Sequence, residues 1–276
     1  MDRILFAGSW ESYFAQLGLK EFDDFYEYAD TTTVNKHHRR NVQRLVFRRN
    51  TKRRAFFMKR FQNPHFKDML AARRTCGSGA TQAGVEWHNA QHLLANHIGT
   101  YEPVCMGERT HWGIERDSFF VTQEIEGICL RDFVIDNWRN LERHQQENIL
   151  IAVGKLVRAL HKLDIAFPDL QIWHLFLHGK SLSANCHLSI IDLHRMSAGV
   201  RSQRRKARDL SRLYWSMVPE YFDEDHKQLL LDTCLEEFSP SQREGLKSVV
   251  KRYEATLNRR KTAHRYYRKT PQFTSA

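Results

Sequence analysis

Few cysteines, few prolines and no long apolar run set the first limits on this 276-residue chain. Its five cysteines, Cys76, Cys105, Cys129, Cys186 and Cys234, are odd in number, scattered, and never spaced as C-x-x-C. That argues against a disulfide framework or a structural zinc site and reads as reduced thiols in a cytosolic protein. Six prolines and thirteen glycines leave little room for long disordered linkers. No stretch approaches the ~18 apolar residues that a membrane-spanning helix needs, and the apolar start ILFAG is too short for a signal-peptide core. Acids are in deficit too: 32 Asp and Glu stand against 43 Lys and Arg, a formal net charge of +11, with a pI near 9.5. Such a balance points to an anionic partner: nucleic acid, anionic lipid, or a phosphorylated or carboxylated substrate.

What is present is the composition of a soluble globular protein, 41% hydrophobic and 27% charged, long enough for one large domain or two lobes. Residues 1–30 carry FAQLGLKEFDDFYEY and read as a short helical extension. From Thr31 the runs TTTVNK, VQRLVFRR and AFFMKRF predict a three-stranded antiparallel meander. VEWHNAQHLLANHI has helical spacing, and strands are expected near 104–108 and 119–124. Gly127 marks a boundary, so 31–126 is expected to form a β-rich lobe and 127–276 a mainly helical one. In the latter, LERHQQENILIAVGKLVRALHKLDI is the clearest helix. HLSIIDLHRM predicts a short buried strand ending in an acid, and further helices are expected over 207–217, 224–238 and 242–257.

Two acids stand out. Asp169, in IAFPDLQIWHLFLHG, follows the long helix among large apolar side chains; Asp192 ends SII, 23 residues later. Asp169 alone could be a turn or N-cap acid, and His174 a hydrogen-bonded core histidine. Asp192 is harder to explain structurally, because acids rarely close a buried strand without a partner. Two rigidly held carboxylates suit a cation held by one and a hydroxyl proton accepted by the other, which is the arrangement of phosphoryl transfer. The pair His88 and His92 has a metal-like spacing but no third ligand, and reads as a solvated helix face.

The order of these residues resembles the protein-kinase pattern, in which a catalytic-loop Asp is followed five positions on by a metal-binding residue and later by a metal-binding Asp. More narrowly, PDLQIWHLFL, IIDLHRM and KARDLSRLYWS resemble the lipopolysaccharide core kinases, the family that phosphorylates heptose or Kdo sugars. The resemblance covers roughly Leu17 to Met217. It implies an α+β, protein-kinase-like two-lobed fold with a small β-rich N-lobe and a mainly helical C-lobe. It also implies ATP and Mg2+ as cofactors, with Asp169 orienting the sugar hydroxyl and accepting its proton, and Asp192 and His174 holding the metal. Lys59 would pair with the ATP phosphates, positioned by Glu86 or by another acid such as Glu102. The backbone of Gln123, Glu124 and Glu126 would hold adenine, and Asp209 would brace the catalytic loop. The partner implied is the inner-core glycolipid, met from the cytoplasm at an anionic membrane surface, with no nucleic acid expected. Arg195, Arg201, Arg204 and Arg205 would face its phosphates and carboxylates.

Only 16 residues separate Asp192 from Asp209, too few for the activation segment and peptide platform of a protein kinase. A glycan or small-molecule acceptor is therefore expected. Two departures from kinases stand beside this. Phe167 and Pro168 precede Asp169, and KHHRRN between the first two strands has no glycine, leaving Lys36, His37, His38, Arg39 and Arg40 as phosphate contacts by default. These departures motivate a rival, a kinase-fold binding module of weak or no activity. A nucleic-acid-binding protein is a second rival, but it leaves both acids unexplained.

Overall fold

The computed structural model describes residues 1–37, 39–49, 51–77, 80–179, 182–183, 185–260 and 262–268. The chain divides into two compact units, Met1–Ile125 and Glu126–Ala276.

The first unit is built on a six-stranded sheet of order β1-β5-β6-β4-β3-β2. Its strands are β1 (Asp2–Phe6), β2 (Thr32–His37), β3 (Arg40–Arg49), β4 (Lys52–Gln62), β5 (Pro103–His111) and β6 (Ile114–Gln123). The expected meander is β2–β4, with β3 and β4 paired from Arg40↔Phe61 to Arg49↔Lys52. Residues 1–30 differ from the helical extension expected of them. They open with β1, which pairs antiparallel with β5, so the apolar ILF is a sheet edge. Two short helices follow, α1 (Trp10–Ala15) and α2 (Phe22–Tyr26). Phe14, Phe22 and Phe25 from these helices pack with Phe47, Phe56, Met58 and Phe119 of the sheet in one buried cluster. That aromatic packing, rather than helix propensity, holds such short helices in place.

Helix α3 (Phe66–Cys76) was not foreseen in NPHFKDMLAARRTC; α4 (Gln82–Ala95) was, although it starts three residues earlier than its apolar pattern. Thr81 caps α4 by accepting from the Gly84 amide at 3.0 Å, which sets the true start. Helix α4 packs on β4, β5 and β6. Strand period decides which side of β4 faces it. Phe56 and Met58 belong to the aromatic cluster, so Lys59 points to the opposite face.

The second unit carries a three-stranded sheet, β7 (Ile128–Cys129), β8 (Leu175–Leu177) and β9 (Leu188–Ile190), and helices α5 (Leu130–Asn137), α6 (Arg143–Lys162), α7 (Gln203–Ser216), α8 (Glu224–Cys234) and α9 (Pro240–Asn258). Helix α6 buries Ile149, Ala152, Val153, Val157 and Leu160 along one stripe, as its 3.6-residue period requires. Gly154 lets it approach α8, since a Cβ there would lie 2.6 Å from the Thr233 methyl. Helix α7 packs against α9 and begins a turn earlier than expected, within the basic run, because Ser202 caps it. Between α6 and β8 lies the segment that carries Asp169.

Candidate active site

In the first unit, the side chain of Lys59 donates to Glu86 Oε2 at 2.6 Å. Glu86 is fully buried and Lys59 nearly so. Tyr101, unremarked in the sequence, donates its hydroxyl to the same oxygen at 2.7 Å, and its ring lies 5.6 Å from the ammonium. Glu86 is thus an ion-pair partner of Lys59, while the Glu102 carboxylate accepts from Gln123. A buried carboxylate that loses its partners, or leaves one behind, is costly. Glu86→Ala is therefore expected to destabilise the protein by about 3 kcal/mol, and Tyr101→Phe by about 1 kcal/mol, both measured by urea unfolding.

The segment expected to hold adenine is largely engaged with the fold. The amides of Gln123 and Glu124 donate to the carbonyls of Glu102 and Ala55, each at 3.0 Å. The Glu124 carboxylate receives a bidentate pair from Arg44 at 2.7 and 2.8 Å. In the second unit, Glu126 is exposed and its carbonyl accepts from His178. Of the basic loop, Lys36, His37 and His38 fall outside the described side chains. Arg39 donates to the Asn63 carbonyl at 2.7 Å, and Arg40 lies over the Phe61 ring.

In the second unit, one face of α7 grips the loop after α6 at three points. Asp209 accepts from the Phe167 amide at 2.7 Å, Arg212 donates to Asp169 Oδ1 at 3.2 Å, and the Ser216 hydroxyl accepts from the Ile172 amide at 3.1 Å. Positions 209, 212 and 216 are the i, i+3, i+7 stripe of a helix. Behind them, Lys206 binds the His161 carbonyl and Asp164 at 2.6 and 2.8 Å. Phe167 is buried and Pro168 fixes the backbone ahead of Asp169. The Phe-Pro pair thus anchors the loop: the phenyl ring fills core and its amide is held by Asp209.

Burial pushes the Asp209 carboxyl up to about 7, with the nearby Asp169 charge adding to the rise and the Phe167 amide, Arg212 and Arg205 opposing it. The folded state therefore holds a proton that the unfolded chain releases above 3.8. This group's contribution to stability is complete below 3.8 and is lost as pH rises through about 7. Asp209→Asn, which retains an acceptor for the Phe167 amide, is expected to flatten that slope. Asp209→Ala removes the slope too and orphans the amide; it is expected to cost about 1–3 kcal/mol at low pH, and less as pH rises through about 7. Thermal unfolding across that pH window checks both.

Asp169 is mostly buried and its Oδ1 is doubly held, by Arg195 at 2.9 Å and Arg212 at 3.2 Å. Its Oδ2 faces His194 Nε2 at 4.0 Å. The Asp169 carbonyl accepts from His174 Nδ1 at 2.6 Å, which fixes the orientation of the imidazole. Nε2 lies 3.9 Å from Asp192 Oδ2, too far for a hydrogen bond. Two donor atoms so spaced, one imidazole and one carboxylate, fit ligation of a single divalent cation, with the carbonyl contact orienting the imidazole as in metal sites. Asp192 itself sits in the left-handed region, φ 65° and ψ 56°, a conformation that costs a non-glycine residue about 1 kcal/mol. Its Oδ1 is fixed by His194 Nδ1 at 3.1 Å.

The structure thus brings Asp169, His174, Asp192 and Asp209 together in one unit, and Lys59 and Glu86 together in the other. Of the arginines expected at an acceptor, only Arg195 reaches Asp169. Arg201 is almost fully exposed beside Asp164, Arg204 binds the Tyr253 hydroxyl, and Arg205 lies on the first turn of α7. His194 and Arg212 were missed as site residues. Both stood in quoted motifs, DLHRM and RDLSRLY, and the i, i+3 spacing from Asp209 was the available signal for Arg212.

The family described as Lipopolysaccharide kinase (Kdo/WaaP) matches residues 26–233. The lipopolysaccharide core heptose(I) kinase WaaP of Escherichia coli K12 is 28% identical over 170 residues, 60% of this chain and 64% of that protein. The match thus spans less than two thirds of the curated relative. A solved structure of WaaP in complex with acyl carrier protein superposes with a TM-score of 0.70 at 22% identity, covering 92% of this chain and 99% of that one. The fold is α+β and protein-kinase-like, as expected from the sequence.

Proposed function

The chain belongs to the lipopolysaccharide kinase (Kdo/WaaP) family, and from that premise we propose that it transfers the γ-phosphate of ATP to a hydroxyl of a lipopolysaccharide inner-core sugar, heptose or Kdo. The observation that carries this reading is the setting of Asp169. Two guanidinium groups occupy Oδ1, which orients the carboxylate and leaves Oδ2 as the oxygen that meets the hydroxyl and takes its proton. His194 fixes Asp192 through Nδ1 and presents Nε2 toward that same oxygen, so the incoming hydroxyl would lie beside the imidazole. Asp192 Oδ2 and His174 Nε2 are the groups that would hold magnesium. When bound, the ion neutralises charge on the ATP phosphates. Lys59, kept rigid by Glu86 and Tyr101, would present a fixed ammonium to the phosphates, and the backbone around Glu124 would meet the adenine edge.

The basic charge is assigned to the acceptor, whose inner core carries phosphates and carboxylates. Among the described residues no helix is long and apolar enough to cross a membrane, and contact with the cytoplasmic membrane face is proposed to be peripheral. Purified protein, magnesium-ATP and truncated lipopolysaccharide, with radiolabelled γ-phosphate, test the reading. Label on the sugar supports it. Failure to label any core acceptor by protein that binds ATP overturns it in favour of the binding-module alternative.

A further inference from the structure

The β5–β6 hairpin closes in two residues, Trp112 and Gly113, between the paired His111 and Ile114. Both turn residues have positive φ, 54° and 69°, as a type I′ turn requires, and the residue that suits its first position is Asn or Asp. A tryptophan at positive φ is a conformational outlier. Little in the fold repays it: Trp112 is 87% exposed, and its ring meets the neighbouring His111 edge-on at 5.9 Å. Ile114 beside it is exposed as well.

The sheet register brings a second exposed aromatic to this end. Strands β4 and β6 are antiparallel, with Gln62 opposite Asp117, and the Asn63 amide donates to the Arg116 carbonyl at 2.7 Å. Three residues on, Phe66 opens α3 and is 73% exposed. The Asp68 carbonyl in that turn accepts from the Gln82 side chain, and the Gln82 amide donates to Glu115, the neighbour of Ile114. Phe66 and Trp112, the two most exposed Phe or Trp side chains among the described residues, therefore stand at one end of the sheet.

The exposed acids near this end, Asp2 and Asp23, are both paired with Arg109, and the other exposed charges there are basic. Arg39, Lys67 and Arg116 are exposed. The other acids are turned inward: Glu115 is buried against Ser118 and the Gln82 amide, Asp117 accepts from Tyr26, and Asp68 is half-buried. Exposed aromatics rimmed by cations suit the interface of an anionic bilayer, where indole rings settle at headgroup depth and Lys and Arg meet lipid phosphates.

We propose that this end of the first unit's sheet docks on an anionic lipid surface, with Trp112, Ile114 and Phe66 entering the interface and Arg39, Lys67 and Arg116 contacting the headgroups. The biological sense of the contact rests on the glycolipid-kinase reading; the contact itself is tested without it. Full-length protein is sedimented with vesicles of phosphatidylcholine, with and without phosphatidylglycerol. The wild type is expected to bind only the anionic vesicles. Trp112→Asn with Phe66→Gln is expected to weaken that binding by about tenfold or more. Asn suits the turn, so the melting temperature should hold. Transfer to a vesicle-embedded acceptor should fall in parallel, and transfer to a deacylated, water-soluble acceptor should not change. Absence of wild-type vesicle binding overturns the proposal. So does unaltered binding by a folded double variant, and so does a change of oligomeric state in place of a change in lipid affinity, which would assign the patch to a second copy. Failure to phosphorylate the soluble acceptor counts against the kinase reading alone and leaves the vesicle result standing.

Discussion

Asp169→Asn is expected to lower kcat by about 10²–10⁴-fold, with the KM for ATP and the melting temperature nearly unchanged. The substitution is isosteric, and an amide oxygen at the Oδ1 position can still accept from Arg195 and Arg212. What disappears is the anionic oxygen facing His194, because the amide nitrogen that replaces it donates and cannot take a proton. The change is therefore confined to proton acceptance. Both arginines are partly exposed, 50% and 31%, and remain hydrated when the negative charge is removed. The stability cost should stay within about 1 kcal/mol. A loss carried by KM, or activity within tenfold of the wild type, would show that Asp169 serves to hold the loop rather than to accept the proton. Arg212→Gln supplies the contrast. It removes one of two anchors and should lower kcat less than Asp169→Asn, with partial rescue by Lys.

The contrast between Asp169 and its two arginines shows what could be read from the sequence. Periodicity delivered the strands β2–β6 and the helices α4 and α6–α9, since each has a buried face whose spacing is legible. It could not orient Lys59, because Phe57 and Met58 are both apolar and only the aromatic cluster reveals which of them faces it. Strand β1 was lost for a related reason: five residues at an edge carry too short a pattern, and its partner β5 lies about a hundred positions away in the chain. Helix α3 was hidden by a run of basic residues and a glycine break that resemble a loop. The loop acids were legible because a carboxylate among apolar neighbours demands a reason. The arginines were not, since a surface arginine needs none. Arg195 was assigned to the acceptor and Arg212 passed over, yet both meet on Asp169 Oδ1. Only the fold, in which α7 lies alongside the loop, turns the spacing of Asp209, Arg212 and Ser216 into three attachment points.

Asp192→Asn should be nearly as damaging as Asp169→Asn, by a different route. Asparagine tolerates the left-handed backbone at φ 65° better than most residues, so the turn into Leu193 should persist and the protein should fold. The lost charge removes the hard anionic donor that a divalent cation requires, and activity is expected to fall by about 10²-fold or more, with the half-saturating magnesium concentration raised. His174 separates metal binding from proton acceptance. Its Nε2 is aimed by the 2.6 Å contact of Nδ1 with the Asp169 carbonyl, so His174→Ala should raise the magnesium requirement, whereas His174→Asn supplies an oxygen donor and should stay within about tenfold of the wild type. Imidazole favours softer ions than an amide oxygen does. The ratio of activity with manganese to activity with magnesium should therefore drop in His174→Asn. An unchanged ratio, together with an unchanged magnesium requirement in His174→Ala, would remove His174 from the metal set. It would leave His174 as a strut that holds the Asp169 carbonyl, with Asp192 as the cation's protein ligand in this unit.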